Sequence, residues 1–381
     1  MHQPLQIAAA LFLALALVGC VYLLIAGLRV RAFFREDAAE PLARPPAVTV
    51  LKPLYGDEPG LEAALASFFA QDYTGETQII LGLRERDDPA RVIAERLCAA
   101  HPDRDVCLVV DPRVHGANGK VSNLINMAAR AKCPILVLSD SDIAVASDYL
   151  SRVVRLLEDR AIGAVTCPYY GLAKAGRWSR LAAMGLTHQF LPSVVVGWSI
   201  GLAKPCMGST IALRREVLQE VGGFEAFADR LADDYAIGEA VRAAGYRTVV
   251  APVLVAHGCA ETSLGALLKH ELRWARTIRG VDPLGFFGSG VTHAFVLALL
   301  GVVCLGAAPG ALAVLAVATV CRLWMLRQVV RVTAVADEPW WLFPLRDILS
   351  FVVFVSSFFV SVVDWRGARF RVDQGGGLSG I

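Results

Sequence analysis

The sequence predicts an α/β domain built on a mostly parallel sheet and flanked by transmembrane helices. Two observations carry this. Apolar residues concentrate at the two ends of the chain, and between them short apolar strands alternate with amphipathic helices. The chain has 381 residues, 55% of them hydrophobic and 19% charged, with a net charge of +2. That composition excludes a disordered chain. Near-neutral charge argues against nucleic acid as a partner, because phosphates need basic surface. The 9 cysteines have no CxxC or zinc spacing and fit reduced thiols in a cytoplasmic domain. No internal repeat is visible.

The first element is the uncharged run from Ile7 to Leu28. About 20 apolar residues cross a bilayer as a helix. The leader MHQPLQ has no Lys or Arg, and the run is too long for a signal peptide. LVGC (17–20) resembles a lipoprotein processing box, but the apolar VYLLIAGL follows it. Residues 1–35 therefore read as an uncleaved anchor. Arg29, Arg31 and Arg35 come next, which puts the following segment in the cytoplasm and the anchor in the inner membrane.

Residues 45–262 carry the α/β pattern. AVTVL (47–51), QIILGL (78–83), VCLVV (106–110) and ILVLS (135–139) read as strands. Leu61, Leu65 and Phe68 have helical spacing, and further helices are expected near 89–100, 121–130 and 147–158. A parallel sheet of this kind is covered on both faces, and its ligands sit beyond the carboxyl ends of the strands.

Several groups near those strand ends could carry chemistry. Asp140-Ser141-Asp142 follows an apolar strand, and its two carboxylates suit a hard divalent ion such as Mg²⁺ or Mn²⁺. A strand-end turn would use the same residues. Asp87-Asp88-Pro89 reads equally as a helix start with Asp88 as cap. Asp233-Asp234 opens a helix, where acids complement the dipole or one serves as general base. HGANGKVSNLINM (115–127) is a Gly/Asn loop whose Lys120 could contact phosphate, although it lacks Walker spacing. His188 stands in an apolar stretch, where a histidine is more often structural.

The segment 263–290 contains His270-Glu271-Leu272-Arg273-Trp274. Arg273 offers a planar fork for phosphate and Trp274 a stacking wall. The same residues also make a basic amphipathic helix at a membrane surface. Residues 291–365 read as a membrane region: a hairpin of two spans from Val291 to Val320, broken at Pro309-Gly310, and a further run from Leu345 to Val363. Arg322, Arg327 and Arg331 then mark an inner side. Four spans would leave the basic, Gly-rich tail 366–381 outside, whereas three or five would keep it inside.

Taken in order, Asp88, Asp140 with Asp142, Asp234 and an xxRW block resemble the D, DxD, D, (Q/R)xxRW pattern of GT-A glycosyltransferases of families 2 and 21. The likeness spans nearly the whole chain and is nearest the ceramide glucosyltransferase-like group. VLKPLYGDEPGLEAAL, ERDDPA, LSDSDIAV, MGSTIALRREVLQEVGGF and LADDYAIGEAV carry it. DPRVHGANGKVSNLINM and HELRWARTIR are similar to the bacterial hopanoid-biosynthesis-associated members. One departure is His270, where many relatives have Gln or Arg.

The resemblance implies a Rossmann-like GT-A domain and inverting transfer from a UDP-sugar, with glucose or N-acetylglucosamine as the sugar. It implies a membrane lipid as acceptor, a ceramide or a hopanoid polyol. By the same resemblance Asp88 lies by the nucleotide, Asp140 and Asp142 hold the metal, and Asp234 is the base. Lys120, Arg273, Trp274 and His270 line the substrates, and His188 matches a histidine of ceramide glucosyltransferases. A processive polysaccharide synthase shares these motifs, and a non-catalytic membrane-anchored nucleotide-binding scaffold would use the acids as caps.

Overall fold

The computed structural model describes residues 3–35, 42–335 and 339–359, together with the backbone of three short strands at 362–365, 368–372 and 378–380. The chain opens with α1 (Gln3–Phe33), then β1 (Val48–Pro53), α2 (Leu61–Phe69), β2 (Thr77–Leu83), α3 (Ala90–Ala100) and β3 (Asp105–Val110). Next come α4 (Gly119–Ala128), β4 (Ile135–Leu138), β5 (Ile143–Ala144), α5 (Tyr149–Leu156), β6 (Ile162–Thr166) and β7 (Tyr169–Ala173). The second half holds α6 (Arg177–Gly185), α7 (Leu191–Ser199), β8 (Ile211–Arg214), α8 (Arg215–Glu220), α9 (Asp233–Ala243), β9 (Arg247–Val250) and β10 (Val255–Cys259). It closes with α10 (Leu264–Val281), α11 (Pro283–Gly288), α12 (Ala294–Leu305), α13 (Pro309–Thr333) and α14 (Phe343–Ser356).

A 7-stranded sheet in the order β3-β2-β1-β4-β8-β6-β9 forms the centre. Its strands pair in parallel except β8, which is antiparallel to both neighbours. β1 and β4 are buried along their whole length, as near-continuous apolar strands covered on both faces must be. The four expected strands and the helices between them are present, with ends shifted by one or two residues. A second, 3-stranded sheet, β5-β10-β7, crosses the carboxyl end of β4. It was not legible in the sequence, because β5 is only 2 residues long.

Two helices among the described residues are long and apolar enough to cross a membrane, α1 and α13. α1 has 31 residues and so spans about 46 Å, more than a bilayer's hydrocarbon core. The expected hairpin is built differently. α12 has only 12 residues, and joins the preceding segment Pro283–Thr292 at a bend of 65°. α13 does not stop near Val320 but runs on through Arg322, Arg327 and Arg331. α14 has 14 residues, about 21 Å of helix, too short for the third span expected from Leu345 to Val363. Of the basic tail, Arg366 lies outside the described residues, as do the side chains of Arg369 and Arg371.

Arg322, read from the sequence as marking an inner side, is turned into the protein. It is 5% exposed and pairs through two nitrogens with Asp347 of α14, at 2.9 and 2.6 Å. The next residue back, Arg346, makes a matching two-point pair with Glu271 of α10, at 2.7 and 2.8 Å. Adjacent residues of α14 thus tie it to the long apolar helix α13 on one side and to the xxRW helix on the other. Removing one partner of such a buried pair strands a charge and costs about 3–5 kcal/mol. Asp347→Ala is expected to lower the melting temperature of detergent-solubilised protein sharply. The double variant Arg322→Met/Asp347→Leu is expected to recover most of the loss.

Candidate active site

β4 delivers Asp140-Ser141-Asp142 to the carboxyl edge of the central sheet. β5 then pairs antiparallel with β10, matching Ile143 with His257, which turns the chain back across the edge. The turn is held from below by Lys52 of β1, which is fully buried. Its ammonium donates to Ser139 Oγ and to the Ile143 carbonyl, each at 3.3 Å, and to the Asp140 carbonyl. Burial lowers the Lys52 pKa to about 7, against opposing support from Asp142, Asp140 and Glu58.

α4 and α9 bring the remaining charges. Asn118 caps α4 through Lys120 N and Val121 N, and its amide reaches Asp233 Oδ1 at 3.3 Å. Lys120 Nζ lies 2.7 Å from Asp140 Oδ1 and 3.2 Å from Asp233 Oδ2. Burial alone would lower the Lys120 pKa. The charges of Asp140, Asp233 and Asp234 outweigh it and hold the ammonium above the ordinary lysine range.

The backbone of one residue joins the two acidic motifs. Gly208 N donates to Asp234 Oδ2 at 2.9 Å, and the Gly208 carbonyl accepts from Asp140 N at 3.1 Å. A Cβ at this position would lie 2.6 Å from Asp140 Oδ2 and 3.0 Å from Lys120 Nζ, so any side chain here would displace the Asp140 carboxylate. Burial, followed by the Asp233 charge, raises the Asp234 pKa to about 6, while Lys120 pulls it down. Asp233 is buried and held by Lys120 and Asn118, whereas Asp234 is only half-buried. Of the two, Asp234 is the carboxylate able to take a proton from a bound molecule.

Asp88 sits at the other end of the cleft, which Arg84, Gly119 and Lys120 also line. It does what a helix cap does, accepting from Ala90 N at 2.9 Å. Both its oxygens also accept from Gly56 N, at 3.0 and 3.1 Å, which ties the loop after β1 to the loop after β2. Gly56 has φ +76, a conformation that a side chain would strain.

α10 closes the opposite side. Trp274 meets the His257 ring edge-on at 5.6 Å and the His270 ring at 4.5 Å. His257 Nε2 lies 3.3 Å from Asp142 Oδ2. His270 Nδ1 is 2.6 Å from Glu261 Oε1, so this residue braces Trp274 from within the protein. Arg273 lies on the same helix, and its carbonyl accepts from Thr277 Oγ1 at 2.9 Å. His188 is placed elsewhere. It lies in a π-helical turn, Leu186–Phe190, against α13, where its carbonyl accepts from Arg322 at 2.8 Å. The structure therefore assembles Asp88, Lys120, Asp140, Asp142 and Asp234, sets Trp274 and His270 behind His257, and leaves His188 against the long apolar helix α13.

Sequence reasoning missed Lys52, Gly208, Asp233 as the Lys120 partner, and His257. It also missed Tyr169, whose buried hydroxyl feels the charges of Asp234, Asp140 and Asp142 and has its pKa raised by burial and by them. A lysine inside the buried strand VTVLKP was the one available signal.

Among the described residues, no group of three or more His, Cys, Asp or Glu side chains forms a ready metal cage. The donors nonetheless suit a hard cation. Asp142 Oδ1 is buried with no hydrogen-bond partner among the described residues, an anionic oxygen with nothing opposite it. Asp140 in the same turn and His257, 3.3 Å from the other Asp142 oxygen, are further donors close by.

With this geometry in view, the glycosyl transferase family 21 profile matches residues 11–378. The chain belongs to glycosyl transferase family 21. This family 21 glycosyltransferase is 24% identical to ceramide glucosyltransferase 1 of Caenorhabditis elegans over 96% of its own length and 81% of that protein. It is 28% identical to an N-acetylglucosaminyltransferase of Mesorhizobium japonicum, over 61% of this chain and 56% of that one. In fold it is similar to a mannosyltransferase from Pyrobaculum calidifontis, solved with GDP-Man and Mn²⁺. There the TM-score is 0.53 at 23% identity, over 93% of this chain and 99% of the other.

Lys120→Met removes the one cation shared by Asp140 and Asp233 in this glycosyltransferase. The expected loss is about 3 kcal/mol of stability at neutral pH, read by thermal melts. In the same variant the Asp234 pKa is expected to rise above 6, because Lys120 is the charge that lowers it. A pH–rate profile whose acid limb does not move would contradict that coupling.

Proposed function

We propose that this glycosyltransferase is a membrane-bound inverting enzyme that uses a UDP-sugar. The sugar is glucose or N-acetylglucosamine, and it passes to the hydroxyl of a membrane lipid, a ceramide or a hopanoid polyol. The observation that carries this reading is the backbone of Gly208, whose N–H donates to Asp234 and whose carbonyl accepts from the Asp140 amide. It sets a carboxylate of raised pKa directly beside the DxD turn. α1 and α13, together with the apolar and basic α10, support a catalytic domain held at the cytoplasmic face of the inner membrane.

The chemistry needs one base and no protein nucleophile. Asp234 accepts the proton of the acceptor hydroxyl as that oxygen bonds to the anomeric carbon. The bond from that carbon to the diphosphate oxygen breaks on the opposite side, and UDP leaves with the electron pair. Asp140 and Asp142, with His257 beside them, would hold a Mg²⁺ or Mn²⁺ ion, which when bound neutralises charge on the departing diphosphate. Asp88 would position the nucleotide by fixing the loops after β1 and β2. Arg273 would meet the diphosphate, and Trp274 would wall the acceptor entrance.

Among the described residues, two long helices, or three with the bent pair, make little material for a polymer channel. Transfer of a single sugar per lipid is therefore expected, and mass spectrometry of membrane lipids from cells with and without the gene decides it. A ladder of oligomers would favour a polysaccharide synthase instead. Asp234→Asn is expected to lower turnover by about 10²-fold or more with the fold intact. Unchanged turnover would leave the acids as caps and favour a non-catalytic scaffold.

The wild-type rate is expected to fall on the acid side with an apparent pKa of about 6, as Asp234 takes up a proton. The same raised pKa acts oppositely on stability. The folded state holds this proton more tightly than the unfolded chain, so Asp234's contribution is present below pH ~4 and lost as pH rises through about 6. Asp140→Ala is expected to weaken metal-dependent UDP binding, measured by titration calorimetry.

A further inference from the structure

Arg276 is a buried guanidinium with no acid paired to it among the described residues. It lies on α10, three residues past Arg273, and is 8% exposed. Arg214, Arg322 and Arg346 are buried to a similar degree, and each pairs with a carboxylate. Among the described residues, nothing accepts a hydrogen bond from Arg276 Nε or Nη1. Burial and then the like charge of Arg279 push its pKa down, as befits a cation with no counter-ion. Arginine does not shed its proton in a protein, so the charge stays and an unpaired state is costly. A planar fork with free N–H groups matches a phosphate.

The surroundings indicate which phosphate. The Arg279 guanidinium lies 5.5 Å from the Phe358 ring. Phe358 packs on Phe286 and Phe287 of α11, at 5.7 and 6.4 Å. Phe287 is 70% exposed and Leu284, on the same helix, 85%. α11 leads through the 65° bend into α12, which packs along α1. A cationic pair beside exposed apolar side chains fits a molecule with a phosphate head and hydrocarbon chains. A free nucleotide would leave the apolar half unused.

We infer that Arg276 and Arg279 hold the phosphate of an anionic membrane lipid whose chains lie over Phe287 and Leu284. This lipid is distinct from the sugar acceptor, which reacts through a hydroxyl. The inference rests on the reading of the chain as membrane-bound but not on sugar transfer.

The test uses the purified full chain in detergent micelles. Dihexanoyl phosphatidylglycerol is the probe, dihexanoyl glycerol the uncharged control, and UDP the competing phosphate source. The phosphatidylglycerol is expected to bind in calorimetry and to raise the melting temperature, while the uncharged lipid does neither. Arg276→Met is expected to weaken that binding about ten-fold or more, with UDP binding unchanged, and Arg276→Lys to restore part of it. Equal effects of the two lipids on the wild-type protein would overturn the inference. So would an Arg276→Met protein that loses UDP binding and keeps the lipid, since the nucleotide would then own the site. If Arg276→Met does not fold, the wild-type lipid comparison and Arg279→Met decide the matter. No arm measures sugar transfer, so failure here leaves the transferase reading standing.

Discussion

The site depends on gathering carboxylates that repel one another. Asp140, Asp233 and Asp234 meet at the edge of the central sheet, and the protein sets one ammonium, Lys120, among them. A lone buried carboxylate would be driven neutral, and three without a cation would push the turn apart. With Lys120 in place the cost is shared unevenly. Asp233 and Asp140 are paired, and Asp234 is left with the Gly208 amide, the Tyr235 amide and a raised pKa. The raised pKa of Asp234 comes first from its burial and then from the Asp233 charge, and Lys120 only moderates it.

A second constraint links this cluster to the membrane helices. The 14 residues of α14 reach Arg322 through Asp347 and Glu271 through Arg346. Glu271 stands between His270 and Arg273 on the helix that carries Trp274. Trp274 leans on His257, which reaches Asp142. Side-chain contacts joined through the backbones of α14 and α10 therefore link α13 to the DxD turn. The other buried arginines belong to such pairs, and Arg276 is the exception, a cation with no acid beside it among the described residues.

The alternating pattern of apolar strands and amphipathic helices was readable because it obeys simple periods. Burial on both faces makes VTVLKP and ILVL stand out, and Asn118 and Asp88 cap helices as their positions suggest. The acids were readable as candidates for the same reason, since each follows a strand or opens a helix. What failed was anything set by partners distant along the chain. Arg322 looks like a flank marker from sequence. Its role as a buried ion-pair partner depends on Asp347, 25 residues further on. β5 is too short to have a pattern, yet its pairing with β10 is what brings His257 to Asp142.

By itself the sequence determined the class of fold, the apolar ends where long helices form and the types of side chain available for chemistry. Local periodicity and composition encode those, because helix, strand and membrane burial each act over a few neighbouring residues. Only the tertiary structure decided which aspartate is held by a lysine and which stays half-open, which histidine braces a tryptophan and which lies against α13. Those outcomes depend on distances of about 3 Å between residues far apart in the chain, where Coulomb energy and desolvation change steeply.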